Sequence, residues 1–514
     1  MPEHPKTYHV GTLTYTRPQL AMVLFWLLWG DFCYMLMESV VPSILPLKFK
    51  ALGASNMTMA LFITTLPMIL NTVFNPIISF QSDRFRSRWG RRIPFLLFTL
   101  PMLVVTMLCV GFGDVIGSKV IHPLVLSMAQ WGGLWNRLLG GTTENQVMIL
   151  TIGVMMVIFS FFNTFANSVF WYLFNDVVPD HLLARFMSWF RLVSVMACAL
   201  YSYFVFQYAE SHMHEIYIGG AILYTVGFGM MCLMVKEGKY PPPPEYTDGQ
   251  GGMVAAFKTY GKECFSIEHY WWVFLTSMAI GASWGIGTFG VFGSKSIGLD
   301  LKQIGQLSGI TSLVMSFAII GSGWLADRFH PIRVVLVGFV LQTLTAPIGL
   351  LWVFWHPTPT VVFWFSLVNS LLLGVPIGAL IGIYDPPLFM RTFPRSRYGQ
   401  YCSANAMLRS IAAIIGGLGA GAYLDLLKTF FSRPEIQNGA LKVMYAGQGC
   451  TGEDVAYRLT PLWSWGCSGL ATFFMYKLFK SWKSLGGDDH YTPPLLSGSE
   501  PIESAAAGPI RAGH

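Results

Sequence analysis

The stretch Ser82-Asp83-Arg84-Phe85-Arg86-Ser87-Arg88-Trp89-Gly90-Arg91-Arg92 separates two apolar runs, Met57–Phe80 and Ile93–Gly113. Five arginines (Arg84, Arg86, Arg88, Arg91 and Arg92) fall within nine residues, behind a single acid, Asp83. Between segments long enough to cross a bilayer, such a cluster reads as a tight loop on the positive, cytoplasmic face.

Composition points the same way. Of 514 residues, 53% are hydrophobic and 11% charged, against about 25% charged in a soluble domain. A chain this apolar places most of its length in lipid. The polar opening, residues 1–17, is not a cleavable signal peptide, and the first apolar run is expected to stay in place. Six of the eight cysteines lie inside apolar runs and no C-x-x-C pair occurs, so neither a disulfide framework nor a metal site is expected.

Counting about twenty apolar residues for a ~30 Å hydrocarbon core gives twelve spans, at 18–47, 57–81, 93–113, 147–174, 183–208, 215–235, 269–292, 303–326, 331–354, 361–384, 398–425 and 460–482. With the N-terminus inside, cytoplasmic segments hold 21 basic residues and the opposite side ten. That bias sets both termini in the cytoplasm of a multi-pass protein of the cell membrane. The net charge of +7 then follows from topology and calls for no nucleic-acid partner. A polar, Pro- and Gly-rich linker at 236–268 divides the chain into bundles at 18–235 and 269–482, with a leader at 1–17 and a Gly/Pro/Ser-rich tail at 483–514 expected to be disordered. The long segments 114–146 and 428–459 hold apolar pieces suited to interfacial helices and read as peripheral loops.

The halves repeat. The arginine loop has a degraded echo in Gly321, Ala326, Asp327, Arg328 and Arg333. Asn175-Asp176-Val177-Val178-Pro179 with Arg185 and Arg191 has a looser one in Phe393-Pro394-Arg395, Arg397 and Arg409. The loop resembles the G-x-x-x-D-R-x-G-R-R signature of the major facilitator superfamily. It is most similar to the S-D-R-x-x-S-R-x-G-R-R-x-P-F form of glycoside/pentoside/hexuronide:cation symporters and sucrose transporters, with Asp83, Arg84, Ser87, Arg88, Gly90, Arg91, Arg92, Pro94 and Phe95 in register. Gln81 stands where a small residue is usual. The resemblance implies an all-α integral membrane protein of twelve transmembrane helices in two pseudo-symmetric six-helix bundles. It also implies sugar or glycoside symport with H⁺ or Na⁺ by alternating access, and a conformational latch at Asp83, Arg84, Arg88, Arg91, Arg92, Asp176, Asp327 and Arg328. In that latch Arg88 and Arg92 hold the loop against Asp176.

Ionisable groups inside spans cost at least ~2.5 kcal/mol each and therefore need a reason. Asp31 and Glu38, seven residues apart on the first span with Tyr34 between them, share nearly one face at 100° per residue, ~10.5 Å apart along the axis. They are the candidate cation-coupling acids. Asn163, Asn167, Trp171 and Asn175 follow at four-residue spacing on the fourth span. Amides both donate and accept, as a polyol requires, and Trp171 offers a flat face to a sugar ring. The competing reading is amide bonding between helices, worth ~0.6–2 kcal/mol. Tyr34, Asn71, Trp284 (among Gly281, Gly285, Gly287, Gly290 and Gly293), Asn369, Asn405 and Arg409 complete the candidate substrate set. Asn75-Pro76 suits a proline kink, and the glycines suit a helix that bends or packs closely. Arg409, ~16 Å from the cytoplasmic start of its span, either faces Asp31 or forms with Arg191 a symmetry-related snorkelling pair.

No G-x-S-x-G, H-E-x-x-H or P-loop sits on a soluble portion, so no enzyme and no cofactor is expected. Rival readings are an exporter of hydrophobic compounds, which needs an apolar cavity, and a transporter-like receptor or scaffold.

Overall fold

A computed structural model describes residues 8–130, 141–238, 264–394, 397–437, 450–487 and 491–494. Eleven helical rods among them are long and apolar enough to cross a membrane: Arg17–Ala51, Asn56–Ile78, Ile93–Gly111, Glu144–Val177, His181–Tyr208, Met213–Met234, Glu268–Ser296, Leu301–Phe329, Pro331–Phe354, Pro359–Gly382 and Tyr398–Phe431. They are spans 1 to 11. Span 12, Thr460–Ser484, is as long, but Lys477, Lys480 and Lys483 dilute its last turns. Its place in the bundle comes from packing on spans 7 and 9.

Local chemistry sets where rods begin. Proline, whose missing N–H is harmless in a first turn, opens spans 3, 9, 10 and 12. Reciprocal caps open spans 4 and 8. Thr143 Oγ1 accepts from the Gln146 N–H at 3.3 Å and Gln146 Oε1 from the Thr143 N–H at 3.0 Å. Asp300 and Gln303 do the same at 2.7 and 3.2 Å.

The pairings repeat six spans on. Span 1 packs on 5 and 6, span 2 on 4, and span 3 on 4 and 6; likewise 7 packs on 11 and 12, 8 on 10, and 9 on 10 and 12. The halves meet through two crossings of the same kind, 2 against 11 and 5 against 8. At the second, a Cβ on Gly305 would run into the Ser202 carbonyl oxygen, so only glycine permits this approach.

The apolar core is asymmetric along the rods. The first half's core runs without a break into Phe289, Phe292, Leu301, Leu424 and Tyr457 of the second half. All of these lie toward the end opposite the arginine loop. At the arginine-loop end the second half has its own cluster around Tyr270, Phe393, Tyr401 and Trp482. The halves are thus fused at one end and separate at the other.

Three segments depart from expectation. The leader forms a hairpin, Tyr8–Val10 against Leu13–Tyr15. Part of the tail is docked rather than free: the Tyr491 hydroxyl donates to the Thr392 carbonyl at 2.8 Å and meets His269 Nε2 at 3.0 Å. The segment 428–459 is not simply peripheral, because Gly452–Arg458 is a helix whose Val455, Ala456 and Tyr457 are buried. Residues 131–140, 239–263 and 438–449, with most of the expected linker and the apolar piece at 440–445, lie outside the described residues.

Candidate functional site

Asp31 is completely buried midway along span 1. Ser194 of span 5 donates to its Oδ2 at 2.6 Å, while Oδ1 has no partner. A buried carboxylate oxygen left unpaired among the described residues is costly if charged. One turn along, the Tyr34 hydroxyl donates to Asn163 Oδ1 at 2.8 Å, and Asn163 Nδ2 donates to Glu38 Oε1 at 3.3 Å. Tyr34, Glu38 and Asn163 therefore form one chain across spans 1 and 4, with the Tyr34 ring wedged among Phe170, Tyr224 and Phe228. Asn163 has both its amide atoms engaged in helix-to-helix bonds.

The rest of the stripe is open. Asn167 makes no hydrogen bond to any described residue, and Trp171, 37% exposed, packs edge-on against Phe190 at 5.0 Å. Asn71 and Asn175 are exposed, and Asn75 accepts from Ser168 at 2.7 Å, which ties span 2 to span 4.

In the second half, Arg409 does not answer Asp31. Its guanidinium ion-pairs with Asp385 and lies 4.4 Å over the Trp284 ring. Asp385 sits where the helix breaks after span 10, at φ −117° and ψ 129°, just ahead of two prolines. Sequence reading missed it because the apolar run ends at the preceding residue; the signal was an Asp-Pro-Pro run closing a span. Asp385 Oδ1, Arg409 Nε and the buried Asn405 Oδ1 all lack partners. Span 7 reaches this cluster by close packing of Gly281 and Gly285 on span 11 and by tightening into a narrower turn at Gly285–Phe289, so the glycines both pack and bend. Asn369 lies elsewhere, lining a cavity of about 250 Å³ inside the second half.

The arginine loop is pinned by two acids. Arg91 grips Asp176 through Nε at 2.9 Å and Nη2 at 2.5 Å, and Arg92 Nε reaches the same carboxylate at 3.2 Å. Arg88, expected to share this task, is exposed, because the turn at Gly90 directs the next two arginines inward instead. Glu237, unforeseen, accepts the backbone N–H groups of Arg91, Arg92 and Ile93 at 2.9, 2.8 and 2.6 Å. It thereby caps span 3 with a carboxylate at the positive end of the helix dipole. Arg84 is half-buried, and the side chain of Asp83 lies outside the described residues. Asp327, 81% exposed, meets Arg391 at 3.1 Å, and Arg328 lies over Trp324 and Phe329.

The opposite end is closed by polar bonds between the halves. Asp425 accepts from the Asn56 N–H at 3.0 Å, Asn56 Nδ2 at 2.9 Å and the Met57 N–H at 2.9 Å, and so caps span 2 from span 11. Glu453, on the short helix, is held by Lys50 of the first half and by Lys428 of the second. Burial works against its charge, yet the two lysine hydrogen bonds prevail and keep its carboxyl below the usual glutamate range. Tyr457 donates to Asn56 Oδ1 at 2.6 Å.

A family model described as Major Facilitator Superfamily matches residues 27–417. No curated protein matches. Among solved structures, a bacterial homolog to the human lysosomal transporter Spinster, inward-facing and unoccupied, aligns over 93% of this chain and 100% of its own at 14% identity and a TM-score of 0.61. The nucleoside transporter NupG aligns over 89% and 99% at 14% and 0.57. A D-xylose-proton symporter aligns over 90% and 97% at 12% and 0.54. At such identities the likeness is one of fold, and it agrees with the six-span repeat and the paired crossings. With the family match across residues 27–417, the chain belongs to the Major Facilitator Superfamily.

Proposed function

We propose that this protein is a cation-coupled symporter that carries a sugar or glycoside across the cell membrane by alternating access, with both termini and the arginine loop in the cytoplasm. The observation that carries the reading is Asp31: a fully buried acid on span 1 with one oxygen held by Ser194 and the other unpaired. A carboxylate so placed suits H⁺ or Na⁺, because either cancels its charge before the carrier reorients. Glu38, linked through Asn163 to Tyr34, stands next along the same face.

The substrate class rests on the open amide of Asn167, the exposed face of Trp171, and the Trp284–Arg409–Asp385 cluster of the second half. An exporter of hydrophobic compounds needs an apolar cavity, which an unpaired amide on span 4 and an ion pair between span 11 and the break after span 10 do not favour. In the orientation proposed, the fused end faces outward and the conformation is inward-open. Asp83, Arg84, Asp327 and Arg328 then act at the end that is separated here and latch it when the other end opens.

The test is counterflow of a panel of radiolabelled sugars in proteoliposomes, with and without a pH or Na⁺ gradient. Accumulation driven by either gradient supports the reading. Export of lipophilic dyes with no sugar flux overturns it.

A further inference from the structure

The cavity of about 250 Å³ in the second half is not part of the machinery above: Asp31, Asn167, Trp171, Trp284 and Arg409 are absent from its lining. It lies between spans 7, 8, 9 and 10 at the fused end, and Tyr457 and Arg458 of the short helix form part of its wall. Its volume of about 250 Å³ equals that of about eight waters at ~30 Å³ each, enough for one sugar ring.

The polar groups around it are unusual for this protein. Hydroxyls within the spans commonly close onto the carbonyl four residues earlier, as Ser160, Thr164 and Thr276 do at 2.7–2.9 Å. Ser294, Ser366 and Ser370 do not: their hydroxyls, like the Asn369 amide, make no hydrogen bond to any described residue. Four groups that both donate and accept thus surround one space. Beside them Trp352 and Phe365 meet edge to face at 5.3 Å. The nearby charge is already committed, because Arg458 Nη2 donates to the Ser296 carbonyl at 2.5 Å and Nη1 to the Trp352 carbonyl at 3.3 Å. Neutral donor–acceptor pairs around an apolar aromatic edge match a ligand whose hydroxyls alternate with C–H faces.

We infer that this cavity is a second carbohydrate site, separate from the Asn167–Trp171 stripe and reached from the end that is fused here. The inference rests on the sugar reading above and adds a site to it. A sugar held there occupies the second half while the central route is shut from that side.

The test is equilibrium binding of radiolabelled sucrose, maltose and raffinose to the purified full-length protein, together with counterflow of the same sugars. Two molecules per chain are expected for at least one sugar. Asn369→Leu should remove one of them, lowering its affinity ~10-fold or more as a partner hydroxyl loses its bond. Trp171→Ala should remove the other. Ser366→Leu, one turn from Asn369, provides a second variant should Asn369→Leu fail to fold, and thermal melting checks both. Counterflow with a single molecule bound, or two-site binding unchanged by both cavity variants, overturns the second site while leaving sugar transport standing. Absence of both binding and counterflow overturns the two together.

Discussion

Arg409 of span 11 pairs with Asp385 at the break after span 10 and stacks on Trp284 of span 7. Three spans of one half are thereby tied by one guanidinium, and Asp31 is left to the first half. Asp385→Asn removes the only charge partner in this triad, leaving a cation that is 18% exposed. Transport should fall at least tenfold. The Asp385→Asn/Arg409→Gln pair should recover thermal stability relative to Asp385→Asn alone, with a coupling of about 1 kcal/mol after allowance for the exposure of Asp385. Additive melting shifts would show that the pair is incidental.

The asparagine stripe divides by what each amide touches. Asn163 joins Tyr34 to Glu38, so Asn163→Ala should lower thermal stability by about 1–3 kcal/mol even without substrate. Asn167 has no partner among the described residues, so Asn167→Ala should leave the melting temperature alone and weaken sugar binding by ~10-fold. Trp171→Ala should weaken binding similarly, and Trp171→Phe much less. Equal melting shifts for Asn163→Ala and Asn167→Ala, with unchanged binding, would make the whole stripe a structural seam.

At the arginine loop the acids matter more than the outermost arginine. Glu237 accepts three backbone N–H groups, and Gly90, at φ +108°, places its α-carbon so close that a Cβ would lie 2.5 Å from Glu237. Glu237→Gln and Gly90→Ala should each destabilise by about 1–2 kcal/mol, whereas Arg88→Ala should stay within about 0.5 kcal/mol. Differential scanning fluorimetry in detergent ranks them; a larger loss from Arg88→Ala than from Glu237→Gln would reverse the assignment.

The closed end depends on Glu453 remaining ionised between Lys50 and Lys428. Its carboxyl titrates below the usual glutamate range, so the closure it stabilises is fully present above that range, about 4.3, and is lost only as pH falls through the depressed value. Between pH 7 and pH 5 this contact should not loosen. Glu453→Gln should loosen it throughout pH 5 to 7, seen as faster thiol labelling of a cysteine placed at Met57. If wild-type labelling already rises sharply between pH 7 and pH 5, another group controls the closure.

How far the sequence could be read depends on the range of each interaction. The spans were legible because twenty apolar residues are a local fact, and the repeat because Asp327-Arg328 echoes Asp83-Arg84. Asp31 and Glu38 stood out because acids in an apolar run are visible on their own. Ser194, the partner of Asp31, did not, since a serine 163 residues away looks like any other small residue. The choice left open for Arg409, between facing Asp31 and snorkelling with Arg191, could not be made for a similar reason, and its pairing with Asp385 was neither: depth along a helix can be counted from sequence, but azimuth between halves cannot. Glu453 and the helix Gly452–Arg458 escaped notice because a short polar stretch between spans acquires its role only when Lys50 and Lys428 meet it, and Asp425, at the last residue of the expected span 11, because its role appears only when the start of span 2 meets it.

Asp31 is the residue on which coupling is expected to turn. It lies on span 1, which packs on spans 5 and 6 in its own half and touches span 7 of the other, so a change of state at Asp31 acts on a helix that meets both halves. One oxygen is fixed by Ser194 at 2.6 Å and the other has no partner among the described residues, so its lone pairs are free to take a proton or a cation. An empty, charged site resists passage through a conformation sealed at both ends, since an uncompensated buried charge is costly; a filled one does not. That difference links cation binding to reorientation. Asp31→Asn keeps the shape and can still accept the Ser194 bond, but it carries no charge to cancel. The variant should bind and exchange sugar at near wild-type rates and fail to accumulate it against a gradient. Ser194→Ala frees the second oxygen while preserving the charge, so it should retain accumulation with an altered dependence on pH or Na⁺. Accumulation by Asp31→Asn equal to that of the parent would remove Asp31 from the mechanism and leave Glu38, on the same face of span 1, as the coupling acid.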